Sequence, residues 1–255
     1  MANSMSRFVW HDLMTTDVDA AARFYAAVIG WKSEDSGMPG PPYLMLKAGD
    51  DTVAGIMAIP PGDEGMPPCW TGYVSVADVD DFAARVAASG GKVWKQPADI
   101  EGVGRFAVVA DPHGAVFILF RGNSPQGPAE RPMDTPGHFA WNELMAGNGD
   151  EAAAWYAGLF GWDEDEAHDM GGFTYRTLRT GGATSSVGMM TKMPDMPIAN
   201  WSYYTWVDGI DAAAGRVTAN GGAVLMGPHE VPGGAWIANC RDPQGAFFSL
   251  IGTKG

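Results

Sequence analysis

The sequence predicts an α+β protein built from one strand–helix–strand unit used twice, and three observations carry that prediction. Adding 131 to a residue number in the first half lands on its counterpart in the second along nearly the whole chain. Within each half, segments of period-2 alternation stand beside segments of helical spacing. Each half also ends on the same Asp-Pro-x-Gly turn, at Asp111 and at Asp242.

The register of the repeat is kept from end to end. Phe8, Trp10, Leu13 and Met14 fall on Phe139, Trp141, Leu144 and Met145, while Tyr25, Gly30 and Trp31 fall on Tyr156, Gly161 and Trp162. Trp70, Tyr73 and Val76 fall on Trp201, Tyr204 and Val207, and Gly90, Gly91 and Pro97 on Gly221, Gly222 and Pro228. Chance composition does not hold one offset over such a length, so the repeat precedes every other assignment.

Each unit reads in the same order. A strand over Phe8–Met14 leads to Asp17, a helix N-cap, and then to Val18, Ala21, Ala22, Tyr25 and Val28 at helical spacing, with Gly30 as the stop. The second repeat places the matching helix start near Asn148. A strand pair follows near Tyr43–Leu46 and Val53–Ile59, then a Pro/Gly-rich loop, then a strand over Trp70–Val76. A second helix starts at Asp78 and stops at Gly90-Gly91. The unit closes with a strand over Phe106–Val109, the turn at Asp111, and a strand over Val116–Phe120. In that turn Pro presets φ and Gly accepts positive φ. Residues 122–137 have linker composition, which divides the chain into domains at 5–121 and 138–252.

Charge and cysteine content exclude several function classes. A formal net charge of -14 argues against nucleic acid, whose phosphates need Lys and Arg. Two cysteines, Cys69 and Cys240, supply neither a disulfide framework nor a zinc knuckle. The chain lacks a signal-peptide pattern and any run of roughly 20 apolar residues, so no membrane is expected and a cytoplasmic location is the default. No G-x-S-x-G elbow marks a nucleophile, and the Gly-rich stretches lack the lysine and the context of a phosphate cradle.

The run W-x-[DE]-L-M, then FY and GW, a W-x-x-Y-x-x-V strand, a Gly-Gly after a helix, and DPxGAxF resemble the vicinal oxygen chelate superfamily of glyoxalases, bleomycin resistance proteins and extradiol dioxygenases. The resemblance spans nearly all of both halves. It implies tandem glyoxalase-like domains, each a curved mixed sheet from two βαβββ-type motifs with a concave ligand pocket, present as a monomer with an internal pseudo-dimer or as a homodimer. It also implies four places for metal ligands, which here hold Trp10 or Trp141, the segments near Gly55–Met57 or Gly188–Met190, Thr71 or Ser202, and Ile118 or Ser249. None is His, Asp or Glu, so neither the family's metal nor another cofactor is expected.

The expected partner is a small molecule, and the candidates follow from strand alternation. Asp12 and Glu143 are matched acids sharing a strand face with Trp10 and Trp141. They are candidate catalytic residues, as general acid/base or ligand anchor. The alternative is a structural acid paired by Arg105 or a backbone N–H. Ligand-lining candidates are Trp10, Thr71, Tyr73, Arg105, Trp141, Ser202, Tyr204, Trp206, Trp236 and Ser249, with core packing as the other explanation for the aromatics. Asn142, Ser202 and Ser249 make the second repeat the more polar of the two. Two functions stay open: a metal-independent binding protein, and a metal-dependent lyase, isomerase or ring-cleaving dioxygenase.

Overall fold

In the computed structural model, residues 6–38, 40–124, 131–181, 185–194 and 196–255 are described. The first repeat runs β1 (Phe8–Thr15), α1 (Val18–Val28), β2 (Lys32–Asp35), β3 (Tyr43–Ala48), β4 (Asp51–Ala58), β5 (Cys69–Ser75), α2 (Val79–Ala88), β6 (Lys92–Ile100), β7 (Gly104–Ala110) and β8 (Val116–Gly122). The second repeats that order as β9 (Phe139–Ala146), α3 (Gly149–Phe160), β10 (Asp163–Asp169), β11 (Thr174–Arg179), β12 (Ser185–Thr191), β13 (Asn200–Val207), α4 (Ile210–Ala219), β14 (Ala223–Glu230), β15 (Trp236–Arg241) and β16 (Phe247–Gly252).

The α+β expectation holds: the strands form two eight-stranded mixed sheets, ordered β2-β3-β4-β1-β5-β8-β7-β6 and β10-β11-β12-β9-β13-β16-β15-β14. Central pairs such as β1 with β4 and β5 with β8 are parallel, while the hairpins toward the edges are antiparallel. The helices begin where the sequence places them. Asp17 accepts from the Ala20 amide, Asp78 from Asp80 and Asp81, and Asn148 from Asp150 and Glu151. The edge strands β2 and β10 escape the sequence reading because their side chains are almost all exposed and show no alternation. No helix among the described residues is long and apolar enough to cross a membrane.

The chain forms two compact units, and each takes segments from both repeats. One comprises Met1–Val9, Gly72–Glu130 and Trp141–Trp201; the other comprises Trp10–Thr71, Arg131–Ala140 and Ser202–Gly255.

Inside the second of these units, buried Tyr25 of α1 accepts a hydrogen bond from the Trp70 indole at 2.8 Å and donates to Asp242 Oδ2 at 3.1 Å. Asp242 is the aspartate of the second repeat's Asp-Pro-x-Gly turn. Its Oδ1 accepts from the Gln244, Gly245 and Ala246 amides. Burial, and then the nearby Asp242, push the Tyr25 phenol well above its ordinary value. Arg216 of α4 donates to the Val28 carbonyl at 2.9 Å, capping the end of α1.

The first unit makes the same bonds with the repeats exchanged. Trp201 donates to Tyr156 at 3.1 Å, Tyr156 donates to Asp111 at 3.4 Å, and Arg85 donates to the Leu159 carbonyl at 2.6 Å. Phe82 of α2 stacks on Phe160 of α3, with ring centroids 5.7 Å apart. The Asp-Pro-x-Gly turns therefore do more than reverse the chain: each fixes the first helix of the other repeat.

Tyr25→Phe removes one hydroxyl and strands both the Trp70 N–H and one oxygen of Asp242. It is expected to lower stability by about 1–3 kcal/mol, read as a lower urea midpoint at unchanged slope.

Candidate functional site

The two matched acids sit in matching arrangements, one inside each compact unit. In the first repeat, β1 carries Trp10 and Asp12 on one face, and β3 brings Tyr43 to them across β4. Asp12 is 4% exposed. Its Oδ1 accepts from Trp10 Nε1 at 2.8 Å and from Tyr43 Oη at 2.7 Å, and the indole N–H is shared with Tyr43 Oη at 2.9 Å. In the second repeat Tyr175 Oη donates to Glu143 Oε2 at 2.9 Å, and Trp141 Nε1 donates to Tyr175 Oη at 3.0 Å. The longer Glu143 side chain takes its bond from the tyrosine, with the indole one step behind.

A glycine opposite each acid makes room for the cluster. Gly55 of β4 pairs in register with Asp12, and Gly188 of β12 with Glu143. A Cβ at Gly55 would collide with the Tyr43 hydroxyl and the Asp12 carboxylate; one at Gly188 would collide with the Tyr175 hydroxyl and the Trp141 indole. Burial, then the adjacent carboxylate, push both the Tyr43 and the Tyr175 phenols far above their ordinary value. Both phenols therefore stay protonated and act as hydrogen-bond donors to carboxylates. Sequence reasoning missed these tyrosines because they differ by 132 and the glycines by 133, outside the register of 131 that aligns the strands around them.

The remaining candidates separate into three groups. Ser202, Tyr204 and Ser249 come together: Ser202 and Ser249 share a hydrogen bond of 2.7 Å, and Asn239, which the sequence did not single out, donates to Ser249 at 2.8 Å and to Tyr204 at 3.2 Å. Trp206 lies on the Tyr204 face of β13 by alternation and is half-buried. Thr71 is buried beside the Cys69 thiol, and Tyr73 is buried edge-on to Phe120.

Arg105 and Trp236 stand apart from these clusters. The Arg105 guanidinium, offered by the sequence as a partner for Asp12, is held instead by Asp80 of α2 and by Asp99. Trp236 has the parity of Ala238 and Cys240, the side of β15 opposite Asn239, and the Lys254 ammonium lies 3.5 Å from its ring centre. Two of the histidines are likewise committed: His11 stacks on Phe139 at 3.8 Å, and His113 contacts Glu151 at 3.1 Å.

The donor set does not fit a divalent transition metal. The slots hold indole, glycine, hydroxyl and aliphatic groups. No group of three His, Cys, Asp or Glu side chains converges among the described residues.

Comparison with known proteins agrees with the fold. The mycobacterial protein CFP32, provisionally named a glyoxylase, from Mycobacterium tuberculosis is 37% identical over 245 residues, covering 95% of this chain and 93% of that protein. The anthracycline biosynthesis protein DnrV of Streptomyces peucetius is 29% identical over 265 residues, covering 97% and 95%. Among solved structures, the Mn(II)-bound glyoxalase from Novosphingobium aromaticivorans superposes with a TM-score of 0.64 at 19% identity, covering 98% of this chain and 83% of that one. The 2,3-dioxygenase LapB from Pseudomonas sp. KL28 gives 0.66 at 14% identity, covering 99% and 93%. At these identities the structures speak for the fold alone. A sequence profile matches twice, over residues 7–119 and 135–250, and with it the chain belongs to the Glyoxalase/Bleomycin resistance protein/Dioxygenase superfamily.

Proposed function

We propose that this protein is a metal-independent small-molecule-binding member of its superfamily, with residues 5–121 and 138–252 as two glyoxalase-like domains. In each, the acid–tyrosine–tryptophan cluster is the ligand anchor. The observation that carries this reading is the recurrence of the cluster in both repeats, over a glycine that keeps it from being crowded out. Burying a carboxylate is unfavourable unless donors are supplied. Here the same pair of donor types is supplied twice, although Tyr43 and Tyr175 do not share the register of the acids. The indole and phenol rings add apolar contact area around one charged acceptor, a pairing suited to an aromatic or hydroxylated ligand. The anthracycline biosynthesis name of one group of relatives agrees with such a ligand class.

The roles divide by chemistry. Asp12 and Glu143 supply negative charge and proton-accepting capacity at a fixed place. Tyr43 and Tyr175 hold the carboxylates in position, and Trp10 and Trp141 fix the phenols.

Asp12→Asn and Glu143→Gln are expected to leave the melting point within a few degrees while reducing the small molecule retained in a native mass spectrum of protein taken directly from cell extract. A stability loss of about 1–3 kcal/mol with ligand retention unchanged would reject the anchoring role. Elemental analysis of protein purified without chelator is expected to find iron, nickel, manganese and zinc all well below one equivalent; a stoichiometric metal surviving dialysis would overturn the metal-independent reading. The phenols set an alkaline limit. Their folded pKa values are raised, so their contribution is fully present below the unfolded value of about 10 and is lost as pH rises above it. Melting points should fall steeply above that pH, and less steeply by one proton's worth in Tyr43→Phe.

A further inference from the structure

A groove of about 390 Å³ runs between α3 and the β10–β11 hairpin, inside one compact unit. Trp162 and Leu178 line it together with Ala154 and Ala157 of α3. Arg176 of β11 also lines it, its guanidinium 2.6 Å from Asp150 Oδ1 in the first turn of α3 and 2.9 Å from Glu164 Oε2 of β10. The arginine side chain is 18% exposed, and those of the two acids are 76% and 48% exposed. Arg176 alternates with Tyr175 along β11, so the groove lies on the side of the strand away from the Glu143 cluster.

The first repeat shows what packing alone requires. Leu44 pairs with Ile56, which pairs with Leu13; in the same way Arg176 pairs with Met189, which pairs with Leu144. A leucine therefore suffices at that place in the fold. On the helix, Arg23 stands where the second repeat has Ala154, and Ser33 stands where it has Glu164. The second repeat has cleared a long side chain from the helix face and put an arginine and an acid on the strands beside it. A partly buried ion pair adds little stability over apolar residues of similar size. Stability does not account for the exchange.

We infer that this groove binds a small organic cation, an ammonium or amidinium carried on an aromatic or aliphatic body. Asp150, Glu164 and Arg176 are the charged residues that line it, and together they carry one net negative charge. Each acid meets Arg176 through one oxygen, which leaves the second oxygen of each for a donor on the ligand. The arginine holds the two carboxylates at one place, and their excess charge attracts a cation and repels an anion. The indole and the alanine methyl groups suit an apolar body behind the charge. The groove uses neither Asp12, Glu143 nor their partners, so it stands or falls separately from the proposed anchors.

Phenethylamine and phenethyl alcohol test the inference, since they share a ring and chain and differ in charge. Titration at low salt, followed by ligand-detected NMR, is expected to show the amine binding wild type about tenfold more tightly, as one charge-assisted hydrogen bond gives. Ala154→Arg imports the first repeat's residue at an exposed helix position, filling the groove and cancelling its charge. Glu164→Ser imports the first repeat's residue on the edge strand. Both should melt within a few degrees of wild type and lose most of the preference, and either alone decides. Ala27→Arg adds the same charge at an exposed position of α1 and should keep the preference. Equal binding of the probes to wild type, a preference for the alcohol, an amine preference that survives either groove substitution, or one lost equally in Ala27→Arg would overturn the assignment.

Discussion

The interaction on which the architecture depends is the buried chain from tryptophan through tyrosine to the aspartate of an Asp-Pro-x-Gly turn. Trp70 donates to Tyr25 and Tyr25 to Asp242; Trp201 donates to Tyr156 and Tyr156 to Asp111. One carboxylate oxygen is spent on the turn's own amides and the other on a helix from the opposite repeat. Backbone and side-chain donors together make a buried carboxylate tolerable. The arginine caps Arg216 on Val28 and Arg85 on Leu159 then fix the far ends of the same helices. Core aromatics pack around this frame: Trp31, Trp70 and Phe139 around Tyr25, and Trp162, Trp201 and Phe160 around Tyr156.

What the sequence made legible was whatever obeys a local period or a fixed offset. The caps Asp17, Asp78 and Asn148 were readable because capping is chemistry within four residues. The acids Asp12 and Glu143 were readable as a pair because β1 and β9 keep the register of 131. Tyr43, Tyr175 and Asn239 were not. The tyrosines meet their acids across a strand, from hairpins whose lengths differ between repeats, and Asn239 is the counterpart of Val108 at the offset of 131, so comparing the repeats marks only a difference. The partner of Arg105 was also out of reach, since Asp80 lies on a helix and alternation along β7 says nothing of which helix packs there. The side of the strand that Trp236 takes was out of reach for a related reason: it is set by the pairing of β15 with β16.

The chemistry of the candidate site follows from what replaced the family's ligand positions. By the superfamily resemblance, an indole stands at the place of the first ligand and a glycine at that of the hairpin ligand. The carboxylate two residues further along the strand is left facing a phenol. A phenol kept protonated by burial and by the adjacent charge donates to that carboxylate and does not compete with it for protons. The strand face beside each acid is thus built around a carboxylate oxygen and the phenol that donates to it.

The exchange of partners between repeats bears on how such a protein can arise. An isolated first repeat would contain Tyr25, Trp70 and Asp111 but not Asp242, so the tyrosine hydroxyl could reach an equivalent aspartate only on a second copy of itself. Two identical copies would satisfy each other symmetrically, and fusing them into one chain fixes their ratio at one to one. Once fused, the copies are no longer bound to remain alike. Each must keep the tyrosine, the tryptophan and the turn that its sister requires, while the strands bearing Val108 and Asn239 are released to diverge. In this chain the two repeats share the frame that each needs from the other, and differ where neither depends on its sister.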